Sequence, residues 1–318
     1  MPSLNILLIG ENAAGIRALQ SLRQSSHRVA GVMSTEDGNS TSLWQIATKF
    51  GHATWPARLV KDPDLARQIR EHSVDMILNV HSLFLIHDEI LQVPRFGSYN
   101  LHPGPLPRYA GLNPVCWAIY RGETKYGVTL HRIERQVDAG PIAYQAPLEI
   151  SGDETGLSLT AKCVSAGMSL IQKLLETAAE DPSRIPSIAQ DLSQREYFRS
   201  EAPENGNLSW RWPERRIFNL VRACDFAPFP SPWGNPRTSL QGRPVGILKA
   251  KLTMKPATAA PGTVGRAGES GAEVACADQW IVVQKIVSEE RILPGGALLK
   301  SGDRLRDLPQ TLEALRAT

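Results

Sequence analysis

Residues 100–107 read Asn-Leu-His-Pro-Gly-Pro-Leu-Pro, an amide and an imidazole two positions apart with a proline-rich stretch behind them. Along an extended strand, positions two apart share a face, so Asn100 and His102 can converge on one reacting carbonyl. Prolines at 103, 105 and 107 fix φ and remove amide donors, which stiffens the loop. The same eight residues also read as a plain strand terminator. Further along comes Val137-Asp138-Ala139-Gly140, a carboxylate in a tight turn. An Asp before Gly is most often only a turn residue. Beside a histidine, however, a buried carboxylate favours the charged imidazole and orients it, so a proton can be given or taken near neutral pH. Asn100, His102 and Asp138 are therefore the candidate catalytic residues.

These side chains need a sheet edge to bring them together. The first 150 residues alternate short apolar runs with amphipathic stretches, the pattern of βαβ units and a mostly parallel, Rossmann-like α/β sheet. Strands are expected over 4–10, 28–33, 74–80 and 97–102, and helices over 14–25, 42–50, 63–72 and 112–121. In open α/β sheets ligands bind at the C-terminal ends of the strands, where 100–107 falls. Two runs over 126–133 and 141–150 read as a hairpin carrying Asp138, and a long helix over 157–179 follows. The segment 181–207 is polar, proline-bearing and aperiodic. The expected division is a catalytic domain over 1–190, a linker over 191–206 and a C-terminal domain over 207–318. The last of these carries a helix over 214–224 and short strands with turn signals, a smaller β-barrel-like, OB-type domain.

Composition narrows the class. At 318 residues, with 42% hydrophobic and 21% charged, the chain is an ordinary globular protein. No run of about 18 apolar residues occurs. The N-terminus lacks a basic region and a small-residue cleavage site, so a cytoplasmic location is expected. Cys116, Cys163, Cys224 and Cys276 form no C-x-x-C pair and are expected to be buried, reduced thiols. Net charge is +3; the tail from residue 207 has 16 basic against 10 acidic residues, +6, and the remainder has 19 against 22, −3. Gly10 and Gly15 do not make G-x-G-x-x-G, and His81, His87 and His131 show no metal-ligand spacing, so no metal is expected.

The run 100–107 with Arg108-Tyr109-Ala110-Gly111, then Gly122-Glu123-Thr124, Gly127-Val128-Thr129-Leu130-His131 and Asp138-Ala139-Gly140, resembles the 10-formyltetrahydrofolate-dependent formyltransferase family. Asn207-Leu208-Ser209-Trp210, residues 217–223 and Pro261-Gly262-Thr263-Val264 are similar to that family's C-terminal domain. The resemblance implies an Asn100/His102/Asp138 triad, 10-formyltetrahydrofolate as co-substrate, and formyl transfer to an amine. The folate's pterin end is implied to sit near 80–86 and 137–140, with Leu83, Phe84, Ile86, Val137 and Gly140 in contact; their plainer reading is core packing. Asn113 and Trp117 are implied at the acceptor site, a helix start and a buried indole being the duller reading. Many relatives carry Ser at the position of Gly104 and Leu at that of Pro105. The implied acceptor is a small-molecule primary amine, an amino-sugar nucleotide or an amino acid, the latter free or on a carrier protein. Methionyl-tRNA formyltransferase and formyltetrahydrofolate hydrolase are the alternatives. The short loop 34–40 carries Glu36 and Asp37 and no positive charge, which supplies nothing to neutralise phosphates and argues against tRNA.

Overall fold

Apolar runs bounded by turn residues become the following elements in a computed structural model, which describes residues 2–36 and 38–308. Asp37 of the acidic loop and residues 309–318 of the expected C-terminal domain lie outside the described residues. In chain order they are β1 (Asn5–Gly10), α1 (Asn12–Gln24), β2 (Arg28–Ser34), α2 (Leu43–Lys49), β3 (Thr54–Pro56), α3 (Leu65–Glu71), β4 (Met76–Val80), α4 (Asp88–Leu91), β5 (Ser98–His102) and β6 (Ala110–Gly111). There follow α5 (Pro114–Arg121), β7 (Lys125–Arg132), β8 (Ile142–Glu149), α6 (Gly156–Glu180), β9 (Tyr197–Phe198), α7 (Glu214–Ala223), β10 (Arg237–Leu240), β11 (Arg243–Pro256), β12 (Val264–Gly268), β13 (Gly271–Ala275), β14 (Gln279–Ser288), β15 (Arg291–Pro294), α8 (Gly295–Leu298) and β16 (Leu305–Arg306).

Two compact units form. The first gathers Met1–Gly111, Lys125–Glu149 and Ala161–Phe198. Its seven strands run β3-β2-β1-β4-β5-β7-β8; the first five are parallel, and β7 and β8 are antiparallel additions at one edge. β1 and β4 are buried along almost their whole length, as central strands of a covered parallel sheet must be. Leu7, Ile9, Met33, Ile69 and Ile77 make one core on this sheet. Gly10 and Gly15 serve packing: a Cβ on Gly15 would lie 2.7 Å from a Leu43 methyl and 3.1 Å from the Gly10 backbone. The expected mostly parallel sheet is present.

The second unit gathers Leu112–Thr124, Ile150–Thr160 and Arg199–Thr318. Its antiparallel strands run β12-β13-β14-β11-β10-β16, with β15 beside β14. A bridge from Thr263 to Arg304 links the segment before β12 to the segment before β16, curling the sheet into the expected barrel-like form. Trp210, Ile217, Val221, Val283 and Ile286 fill its interior, and the Trp210 indole N–H donates to Thr238 Oγ1 at 2.9 Å. The strands without advance sign in the sequence, β3, β6, β9, β10, β15 and β16, span two to four residues and are too short to show a period. All four cysteines are buried and free. No helix among the described residues is long and apolar enough to cross a membrane.

Candidate active site

The site is built on three adjacent strands. Asn79 of β4 faces Asn100 of β5 in parallel register, and Asn100 faces His131 of β7 in antiparallel register. Asn79 Nδ2 donates to Asn100 Oδ1 at 2.9 Å, which turns the Asn100 Nδ2 group toward His131 Nε2 at 3.1 Å and Asp138 Oδ1 at 3.4 Å. Both donor hydrogens of that amide thus point into the cluster. His131 was not read from the sequence as a site residue. The alternation of Thr129 and His131 along the 126–133 run was legible, but the pairing of that run with the Asn100 strand was not.

Asp138 sits in the turn between β7 and β8 at φ +54°, the left-handed region that Asp tolerates better than most residues. Its Oδ2 accepts from the Gly111 backbone N–H at 2.8 Å and lies 3.4 Å from His102 Nδ1; its Oδ1 lies 3.4 Å from His131 Nε2. One carboxylate therefore faces two imidazoles and an amide. Asp138, His102 and His131 are buried, and Asn100 is the half-buried member that solvent reaches. Burial by itself would raise the Asp138 pKa, but His102, His131 and the Gly111 N–H together hold it well below the usual carboxylate range.

His102 departs from the sequence-based expectation. Asp138 was expected to keep its ring charged. Burial instead pulls its pKa below the ordinary histidine value; Asp138 and the Tyr109 carbonyl offset this in part, and His131 adds to it. Its Nε2 lies 2.8 Å from the Tyr109 carbonyl, an acceptor only, so Nε2 carries the proton and Nδ1 faces Asp138. Gly104 explains how the ring reaches that carbonyl: a Cβ there would stand 2.8 Å from His102 Nε2 and 3.1 Å from the Tyr109 oxygen. His81, at φ +60° beyond β4, is lowered to about 4 by burial, with His102 adding to the effect.

Loops around this cluster are held by side chains. Thr129 Oγ1 donates to the Gly104 carbonyl at 2.7 Å and accepts from the Leu106 N–H at 3.1 Å, while Gln145 Nε2 donates to the Leu106 carbonyl at 2.8 Å. Gln190 Nε2 donates to the carbonyls of Asp138 at 2.9 Å and Gly140 at 2.6 Å, and Arg195 donates to that of Val137 at 2.9 Å. These two side chains come from the stretch whose lack of periodicity marked it only as a connection.

The remaining sequence-derived residues divide. Val137 and Gly140 lie in the Asp138 turn, and their carbonyls already accept the bonds just given; a Cβ on Gly140 would collide with the Arg132 carbonyl. Phe84 and Ile86 pack against the core of the first unit, their plainer reading. Leu83 is 78% exposed and Leu85 67% exposed on the same loop. Asn113 and Trp117 belong to the second unit. There Asn113, at φ +54°, precedes α5 and donates to the Ser200 carbonyl at 3.3 Å, and the Trp117 ring meets that of Trp233 edge-on at 5.0 Å.

Comparison with known proteins agrees with this architecture. The formyl transferase family model matches residues 4–175, and the model of the formyl transferase C-terminal domain matches 202–301. Among solved structures, the chain is 18% identical to WlaRD, a sugar 3N-formyl transferase crystallised in the presence of dTDP and 5-N-formyl-THF, over 89% of this chain and 97% of that one, with a TM-score of 0.66. An N-formyltransferase from Helicobacter canadensis, in complex with folinic acid and dTDP-3-aminofucose, is 20% identical over 88% and 98%, with a TM-score of 0.61. A variant of HypX from Aquifex aeolicus is 18% identical over 94% of this chain, with a TM-score of 0.67, and the chain spans 47% of that protein's length. Identities this low speak for the fold; the matched family models, which together run through both units, carry the assignment, and on them the chain belongs to the formyl transferase family.

Proposed function

We propose that the chain transfers a formyl group from 10-formyltetrahydrofolate to the primary amine of a small molecule, an amino-sugar nucleotide being the first candidate. The observation that carries this reading is the half-buried Asn100 amide, its Nδ2 group set between His131 and Asp138 with His102 behind. Attack of an amine on a formyl carbon places negative charge on the formyl oxygen, and a preorganised amide donor stabilises such charge. Asn100 is assigned that role, the hydrogen it gives to Asp138 over the longer 3.4 Å contact being the one turned to the formyl oxygen. His102, neutral near pH 7 by its lowered pKa, is assigned to accept the amine's proton at Nδ1, where Asp138 stabilises the resulting imidazolium, and to return that proton to N10 of the folate as the bond from N10 to the formyl carbon breaks and tetrahydrofolate leaves.

The loop after β4 suits a heteroaromatic ring. Leu83 and Leu85 offer exposed apolar surface, and Asn79 Oδ1 and Ser82 Oγ are buried without a hydrogen-bond partner beside them. We assign the donor's pterin end to this loop, with Leu83 as the main apolar contact and Val137 and Gly140 forming the opposite rim; the donor supplies the activated formyl carbon. The amino-sugar acceptor rests on likeness to WlaRD and the Helicobacter canadensis enzyme, whose structures were obtained with dTDP and dTDP-3-aminofucose. An amino acid, free or carrier-bound, is the second small-molecule acceptor.

The test supplies 10-formyltetrahydrofolate with dTDP- and UDP-amino sugars, ornithine, lysine or charged initiator tRNA and follows release of tetrahydrofolate. Turnover with an amino sugar or amino acid is the expected result. Turnover only with tRNA would move the acceptor to nucleic acid, and equal release without any amine would make the chain a hydrolase.

A further inference from the structure

One residue away from the Asn100–His131 pair, β5 and β7 place Tyr99 opposite Arg132. Successive strand residues point to opposite faces, so this pair belongs to the far side of the sheet from the transfer site. It lines a crevice of about 260 Å³ whose other walls are Arg95, Phe96, Pro141 and, from the segment after α6, Pro182, Ser183 and residues 185–187. Tyr99 is only 5% exposed, yet its hydroxyl makes no hydrogen bond to any described residue. Burial raises its pKa, with Arg132 offsetting this in part, so it stays a donor at neutral pH. Arg132 likewise has no ion pair or side-chain hydrogen bond among the described residues, whereas Arg95 lies 3.4 Å from Asp75. Ser183 gives its hydroxyl to Asp181, which leaves Ser187 as the third unengaged donor.

We propose that this crevice is a binding site for a phosphate-sized oxyanion, held by the Arg132 guanidinium and the Tyr99 hydroxyl. A planar guanidinium beside a fixed hydroxyl matches two oxygens of one phosphate group. The volume falls below the roughly 300–1,000 Å³ usual for pockets that enclose an organic ligand, so the site takes inorganic phosphate or the phosphate end of a small ester. Two short links join its walls to the transfer site. The Arg132 carbonyl bonds His131 Nδ1 at 2.8 Å, and the segment forming one wall continues to Gln190, which holds the Asp138 turn.

The experiment is calorimetric titration of the full chain with inorganic phosphate, and separately with glycerol phosphate, at constant ionic strength, with melting temperature followed in parallel. Saturable one-site binding is expected, with a melting temperature that climbs with ligand concentration. Arg132→Gln and Tyr99→Phe should each weaken it at least tenfold, and Asn100→Ala should leave it unchanged. Tighter binding of glycerol phosphate identifies an ester as the natural source, and equal or weaker binding identifies free phosphate. Absence of saturable binding overturns the proposal, as does affinity that survives both substitutions or disappears with Asn100→Ala. Arg132 is exposed and Tyr99→Phe keeps the ring, so both variants are expected to fold.

Discussion

Asn100, His102, His131 and Asp138 are joined by close polar contacts, and substitutions in and around them disturb those contacts in different ways. Asn100→Ala removes the one member of the row that solvent reaches, so kcat should fall about 100- to 1,000-fold in a chain that remains folded but melts somewhat lower, because the buried Asn79 amide loses its acceptor; a loss of kcat under tenfold would place the oxyanion elsewhere. Gly104→Ala puts a Cβ 2.8 Å from His102 Nε2 and forces the ring off the Tyr109 carbonyl. Turnover should drop while the pKa seen in the pH–rate profile moves, because one of the two acceptors facing the imidazole is lost. In the unmodified protein, kcat/KM should stay level down through the ordinary histidine range and decline only in more acid solution, since burial lowers the His102 pKa. A decline centred at or above 6.5 would show that Asp138 outweighs burial.

The loops matter because the strands deliver side chains only to the sheet edge. Residues 103–107 are fastened by Thr129, Gln145 and the Tyr126 hydroxyl, which donates to the Pro103 carbonyl at 2.7 Å. The Asp138 turn is fastened by Gln190 and Arg195, and Gly111 lends its N–H to Asp138 because β6 lies against β9 so closely that a Cβ on Gly111 would collide with the Phe198 carbonyl. Gln190→Ala should cost about 1–3 kcal/mol in urea unfolding, from two carbonyls left without that donor, and should lower kcat by loosening the Asp138 turn. Unchanged kcat would mean that the turn holds itself. Periodicity made the strand carrying Asn100 and the hairpin carrying Asp138 legible, because each has a burial pattern of its own. Gln190 and Arg195 were not legible, because a side chain that binds distant backbone leaves no period in its own segment.

Across the whole molecule, two histidines with depressed pKa values, the half-buried His81 and the buried His102, make folding depend on pH. His81 is 6.5 when unconstrained and about 4 when folded, and His102 is lowered as well. Between those values the unfolded chain binds more protons than the folded one, so the stability these histidines contribute is full above 6.5 and is lost as pH falls toward 4. Denaturant midpoints measured over that window should decline, and His81→Gln should flatten the slope; an unchanged slope would mean that His81 titrates normally. The sequence by itself determined the two fold classes, the edge at which Asn100 and His102 emerge, and the resemblance that the family models bear out, since strand and helix periods and ordered motifs are local properties of the chain. Only the tertiary structure decided that His131 joins Asp138, that His102 lies buried against a backbone carbonyl beside Gly104, and that Tyr99 and Arg132 face an open crevice on the opposite side of the sheet. Those facts depend on strand register and on how much water each group loses, and both are set by residues far away in the chain.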